Sequence, residues 1–284
     1  MDTGLLFNTD RMSGAALIEY AQQAESTGID CIWLPELFGR EPFVTAAAML
    51  SATRSIRVAS GIANVYARDA IATKAAATTL AELYDGRFEL GLGVSNDMGN
   101  SMRGHEWLPP LVKLTQFFDA MDQARLALRY EREVPVYLAA HGPKLMGFAA
   151  RRADGANTYL MTPQYTARAR EWLGPDKRLI VMQQCLVSET PEQGRSIARK
   201  AIHLYLQLDN YHRAWSAQGF TDADYADGGS DRLVDAIVAW GSTADVRARI
   251  DEHRAAGADQ VVVIPINADN GALPDWRLLE ALTA

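Results

Sequence analysis

Cysteine is scarce in this chain: Cys31 and Cys185 are the two it has among 284 residues. Each lies inside an apolar, strand-like run, and neither belongs to a CxxC pair or stands near a suitably spaced histidine. That excludes a disulfide framework and a cysteine-based zinc site, and reads as two inert buried thiols. Histidine is sparse too, with five in all, and HEWLP at 105 to 109 lacks the second histidine of a zinc-protease motif. No run of about 18 apolar residues exists, as a membrane span requires. The opening MDTGLLFNTDRM has no charged segment followed by a long apolar one, so a cytoplasmic protein without membrane attachment is expected. An excess of positive charge is also missing. Lys and Arg number 28 against 35 Asp and Glu, for a net charge of −7, which argues against a general grip on nucleic acid.

Familiar phosphate and metal signatures are absent as well. ELGLGVSND supplies Gly91 and Gly93, but Asn96 stands at the third glycine position of a dinucleotide fingerprint and no capped helix follows at once. No Gly-rich phosphate loop ending in Lys occurs, and TDADYADGGSD lacks the ligand spacing of a calcium loop.

What the chain has is a repeated phrase: an amphipathic helix, a glycine, then a short apolar strand. It appears as AESTGIDCIWL, AELYDGRFELGLG, RRADGANTYLM and RAAGADQVVVIPI. Gly28, Gly86, Gly155 and Gly257 fall where a helix needs a left-handed residue after its last turn, and a strand follows at once, as short αβ loops require. Asp69, Pro143 and the SerThrAlaAsp at 242 to 245 mark helix starts. The strands predicted are Leu5–Asn8, Cys31–Leu34, Ile56–Ser60, Arg87–Gly93, Val134–Ala140, Ala156–Met161, Leu179–Val187 and Gln260–Ile266. Several are apolar on both faces, as parallel strands covered by helices are. Eight is the number that closes a parallel barrel, so the expectation is α/β, a (β/α)8 TIM barrel over residues 1–284 as one domain. Two connections are too long for simple crossovers, Ser95 to Glu133 after strand 4 and Ser188 to Asp259 after strand 7. The first is expected to hold a loop and a helix around Gln116 to Arg129, the second at least three helices.

Chemistry in such a barrel gathers at the carboxyl ends of the strands. Those ends supply Asn8, Glu36, Gly61–Asn64, Ser95 with Asn96 and Asp97, His141 with Gly142–Lys144, Thr162, Ser188 and Asn267. Glu36 could accept hydrogen bonds or act as acid or base; the alternative is a salt bridge to Arg40 in the same loop. In AAHGPKLMGF a strand leads straight into a helix, so free backbone N–H groups face the mouth and a phosphate could dock there beside Lys144; alternatively Gly142-Pro143 only starts a helix. Trp33 reads as barrel core and His105 as an exposed loop residue. RVASGIANVYARD poses a puzzle: an apolar strand meets Gly61 and continues through Ile62 to Asn64 with no turn signal, so something other than a tight turn is needed there.

These stretches together, with IDCIWLPELFGREPF, IRVASGIANVYARDAIATKAAATTLAELYDGRFELGLGVS, PVYLAAHGPKLMGFAARRADGANTYLMTP and FTDADYADGGSDRLVDAIVAWG, make the chain resemble the luciferase-like monooxygenase superfamily. Within it the chain is similar to the deazaflavin oxidoreductases that use coenzyme F420, with FMN-dependent monooxygenases and flavin-binding non-enzymes as alternatives. The resemblance implies an oxidoreductase acting on a small-molecule substrate, and a homodimer. It implies a bulge, often with a non-prolyl cis peptide, at Gly61 and Ile62 behind the cofactor ring, with Asn64 and Glu36 beside the ring. Val94 and Ser95 match the fourth-strand loop, and Ala140, His141, Gly142, Pro143, Lys144 and Leu145 match the segment that binds the ribityl chain and phosphate. Lys144, Arg151 and Arg168 are candidates for a basic groove at the rim. The family's sugar-phosphate dehydrogenases carry a general-acid histidine and a catalytic glutamate where Leu37 and Asn96 stand here, so sugar-phosphate oxidation is not expected.

Overall fold

A ring of parallel strands organises the computed structural model of the protein, which describes residues 2–284. The strands are β1 (Thr3–Leu6), β2 (Cys31–Leu34), β3 (Arg57–Ser60), β4 (Ala63–Asn64), β5 (Phe88–Gly93), β6 (Val136–Ala139), β7 (Gly155–Tyr159), β8 (Arg178–Val187), β9 (Val238–Gly241) and β10 (Gln260–Pro265). In the order β1-β2-β3-β5-β6-β7-β8-β10 they close on themselves, with β10 paired to β8 from Gln260 opposite Ile180 and to β1 with Val261 opposite Thr3. This is the expected eight-stranded barrel. Each predicted strand is present, Cys31–Leu34 with the expected bounds and the others with shifted ends. The first begins at Thr3 and stops at Leu6 because the Asn8 side chain accepts the Asp10 N–H (2.9 Å) and turns the chain early.

The helices, in chain order, are α1 (Gly14–Ser26), α2 (Pro42–Ala52), α3 (Ala70–Leu83), α4 (Asp97–Met102), α5 (Pro110–Gln123), α6 (Pro143–Arg152), α7 (Pro163–Leu173), α8 (Pro191–Ile202), α9 (Asp209–Ser216), α10 (Asp222–Tyr225), α11 (Asp231–Ile237), α12 (Thr243–Ala255) and α13 (Trp276–Thr283). The two long connections lie where expected: α4 and α5 follow β5, and α8 to α11 follow β8. Three details differ from the sequence reading. α5 runs from Pro110 to Gln123 rather than from Gln116 to Arg129, since a proline suits the first turn of a helix. β9 was not anticipated: its run VAWG is too short to be told from a helix end by periodicity, and only its pairing with Gln184 to Val187 of β8 makes it a strand. Gly155 is no helix cap; it opens β7, where a Cβ would lie 2.0 Å from the Arg178 carbonyl oxygen, so close packing of β7 on β8 excludes any side chain there.

Inside the barrel Cys31, Trp33, Ala59, Tyr137, Ile180, Met182 and Val262 pack together. Trp33 is core, as expected, and its indole N–H donates to the Gln260 amide oxygen (3.0 Å). The amino end of the barrel is plugged by charge: Arg57 bridges Asp2 (2.7 Å) and Glu89 (2.5 Å), Arg178 pairs with Asp2, and the Gln260 amide donates to Asp2 (2.8 Å). Cys31 and Cys185 are buried free thiols, and burial pushes the Cys185 pKa up to about 12. No helix among the described residues is long and apolar enough to cross a membrane.

Candidate active site

The carboxyl ends of the strands open into a cavity of about 1280 Å³. Its walls are the loop after β2, the kink after β3, the loop after β5, the start of α6, and the insertion from Leu204 to Ala217, which covers one side.

The kink resolves the puzzle of RVASGIANVYARD. The Gly61–Ile62 peptide is cis, and the strand resumes as β4. Two features of β5 make room for it. The Ser60 hydroxyl exchanges hydrogen bonds with the Gly91 backbone (2.8 and 3.0 Å), and a Cβ on Gly91 would lie 2.0 Å from the Ser60 carbonyl oxygen. A Cβ on Gly93 would lie 2.9 Å from Cγ1 of Ile62. The glycines of ELGLG therefore serve the neighbouring strand, and the cis-linked pair faces the cavity.

Two residues expected beside a ring are already engaged. The Glu36 carboxylate receives both arms of Arg68 (2.9 and 2.7 Å) and the Asn64 backbone N–H (2.7 Å), with 6 % of its side chain exposed. Its partner is thus Arg68 rather than Arg40, which is held by Asp10 and the carbonyls of Thr9 and Met12. The carboxylate is committed to this clamp, and Glu36 also lines the cavity. Asn64 is buried away from the cavity, donating to Asn100 (2.8 Å) and accepting the Tyr66 N–H (3.0 Å). Asn100 donates onward to the carbonyls of Val94 (2.7 Å) and Asn96 (3.0 Å), which ties the kink to the β5–α4 loop. Arg68 and Asn100 escape sequence reasoning, because pairings between separate loops leave no spacing signal. Val94 and Ser95 line the cavity as expected. His105 does not; it packs on Tyr66 at 5.8 Å.

On the facing side, Ala140 to Leu145 line the cavity together. Gly142, at φ 80° and ψ 164°, occupies backbone space open essentially to glycine alone. Its N–H donates to the Tyr165 hydroxyl (2.6 Å), and no side chain caps α6, so the amides of Lys144 and Leu145 lack intrahelical partners. Lys144, Arg168 and Arg213 stand along this wall. Arg151 does not, because it sits in the last turn of α6, two turns from the mouth. His141 accepts the Tyr159 N–H at 3.4 Å and meets the Tyr211 ring edge-on at 5.3 Å. Burial pushes its pKa down to about 4, so it is neutral at physiological pH. Tyr159 packs on Tyr205 (5.1 Å) and Tyr211 (6.3 Å), and its hydroxyl receives the Gln184 amide (2.7 Å). Burial raises the pKa of all three phenols, which keeps them protonated.

The arrangement fits a flat ring with a phosphate-bearing chain. The kink offers a backbone shelf, and the uncapped start of α6 offers two N–H groups and a lysine to an anion. Among the described residues no cluster of three or more His, Cys, Asp or Glu could hold a metal ion.

A barrel with this kink and this anion cradle defines a class. The sequence profile of the luciferase-like monooxygenase family matches residues 3–260, and the chain belongs to that family. A 5,10-methylenetetrahydromethanopterin reductase of Archaeoglobus fulgidus is 24% identical over 316 residues, covering 95% of each chain. The fold is shared with an F420-dependent secondary alcohol dehydrogenase solved with an F420-acetone adduct, at a TM-score of 0.78 and 15% identity over 99% of this chain and 98% of that one. It is shared too with the oxygenating constituent of 3,6-diketocamphane monooxygenase of Pseudomonas putida in complex with FMN, at a TM-score of 0.75 and 16% identity over 100% and 96%.

Proposed function

We propose that the protein is a coenzyme F420-dependent oxidoreductase that moves a hydride to or from a small organic substrate. The observation that carries this reading is the uncapped start of α6 at Gly142, which lines one cavity together with Gly61 and Ile62 of the kink after β3. When bound, the deazaflavin supplies a hydride donor or acceptor at C5 of its ring. The protein's residues bind and orient. Gly61 and Ile62 back the ring, and Val94 and Ser95 flank it. Ala140 to Leu145 receive the ribityl phosphate, with Lys144 adding charge. Glu36 and Asn64 act one step away, by fixing the shelf rather than by touching the ring. The insertion from Leu204 to Ala217 excludes water.

Support comes from family membership and from the full-length similarity to a reductase. FMN carries the same ribityl phosphate, so the cradle alone does not choose between the two cofactors. We assign the choice to the open wall of α6, α7 and α9, where Lys144, Arg168 and Arg213 stand against one carboxylate, Asp209, a balance that suits the acidic tail that F420 has and FMN lacks. The reading extends to one domain over residues 1–284, a cytoplasmic location and a homodimer. Titration of the purified protein with F420 and FMN, followed by calorimetry, tests it. Tight F420 binding is expected; FMN binding with no detectable F420 binding would overturn it in favour of the monooxygenase.

A further inference from the structure

One group in the cavity is out of place. The Asn157 side chain, on β7, is 3 % exposed, and its amide nitrogen is shielded with no hydrogen-bond partner. Of the five such atoms among the described residues, it is the one whose residue lines the cavity. A buried donor left unpaired is destabilising and is rare unless something else satisfies it. The other lining residues on the barrel strands, which form its floor, are apolar or aromatic: Leu6, Ala139, Tyr159, Met182 and Ile264. In the closed strand order β7 lies three places from β3, so Asn157 stands on the far side of the ring from Gly61 and Ile62, which line the same cavity.

We infer that Asn157 is the hydrogen-bond donor for substrate, receiving the carbonyl or hydroxyl oxygen of a neutral, largely apolar molecule. This rests on the cavity being the hydride-transfer site. With one face of a ring against the kink, the opposite face looks toward β7, and that is where a substrate's reacting carbon must lie.

Charge decides the substrate class. The charged residues of the lining, Glu36, Asp97 and Asp209 as well as Lys144, Arg168 and Arg213, stand on the loop after β2 and on α4, α6, α7 and α9, whereas the lining residues on the strands themselves carry no charge. His141 is neutral. An uncharged amide in an apolar basin cannot offset the lost hydration of a carboxylate or phosphate, but it satisfies a single carbonyl oxygen well. The aromatic wall of Tyr159, Tyr205 and Tyr211 then receives the apolar body. Ketones, or the secondary alcohols they form on reduction, fit this floor; sugar phosphates and organic acids seated head-down do not.

The test compares the native protein with Asn157→Leu, which keeps the side chain's forked shape and removes the orphan amide. Cyclohexanone and benzoate serve as probes, titrated with and without F420 by ligand-observed NMR. The native protein is expected to bind cyclohexanone more tightly than benzoate, and Asn157→Leu to bind cyclohexanone about tenfold more weakly, the worth of one hydrogen bond. The affinity for F420 stays the same in both proteins, and thermal melting of the leucine variant shifts upward. No cyclohexanone binding by the native protein, equal binding by both proteins, a preference for benzoate, or a lowered melting temperature would each overturn the inference. Failure of F420 to bind the native protein would sink the parent reading instead, while the probe arm without F420 still scores Asn157.

Discussion

Arg68 grips Glu36 with both arms of its guanidinium, at 2.7 and 2.9 Å, and also reaches Glu41 at 2.8 Å. The Asn64 N–H completes the shell around Glu36, so the carboxylate joins the loop after β2 to the strand beyond the kink. Arg68→Ala leaves that carboxylate buried and without its cation, and is expected to cost about 3 kcal/mol in urea unfolding. Glu36→Gln is expected to leave the pH profile of turnover unmoved, because the group is a clamp; loss of a titrating limb would restore it as an acid or base.

Lys144 is exposed at the start of α6 with no carboxylate on it. Reversing its charge sets repulsion against a phosphate where attraction stood. Lys144→Glu is expected to weaken F420 binding at least tenfold in low salt and less at high salt, with the melting temperature unchanged. Equal affinity at low ionic strength would remove Lys144 from the cradle.

Gly93→Ala places a methyl 2.9 Å from the Ile62 side chain. Overpacking of this kind costs about 1–3 kcal/mol. The displaced side chain belongs to the shelf, so cofactor affinity is expected to fall along with stability. A variant that loses stability while keeping full affinity would separate Ile62 from the ring.

His253 is fully buried between Thr166 and Gln183 (2.8 Å to each), and burial pushes its pKa down to about 3. His141 is held at about 4. Both lie below the ordinary value near 6.5, so the unfolded chain takes up protons that the native one refuses. Their contribution is complete above pH ~6.5 and fades as pH falls toward 4 and 3. The urea midpoint is expected to be flat with respect to these groups from pH 7 to 9 and to drop between pH 6 and 4. His253→Asn should flatten part of that drop.

Much of the fold could be read because its signals are local. Gly28, Gly86 and Gly257 each take positive φ at helix ends, where the repeated phrase puts them. Each crossover restates the same pattern, so one error of length, such as α5, leaves the topology intact. β9 stayed hidden because only its partner strand defines it. The site divides the same way. Gly142 and the α6 start were legible because a Gly-Pro pair after a strand has one structural meaning. The protein partners of Glu36 and Asn64 are not legible in the sequence, since their hydrogen bonds to Arg68 and Asn100 span 32 and 36 residues. Asn157 gave no sign at all: an asparagine in a strand shows its lack of a partner only when every neighbour is known.

Asp2 touches Arg57, Arg178 and Gln260, and β1 finds its second neighbour in β10. A ribosome adding about 5–20 residues per second reaches residue 265 only after roughly 13–50 s. Through that interval β1 presents an edge awaiting β10, and β8 presents another once Val187 has been made, each open to any other strand that arrives. The seam closes only when β10, the last strand of the ring, has been made. A nascent chain stalled or cut before Gln260 should therefore go to chaperones or to aggregates, however sound its first seven strands.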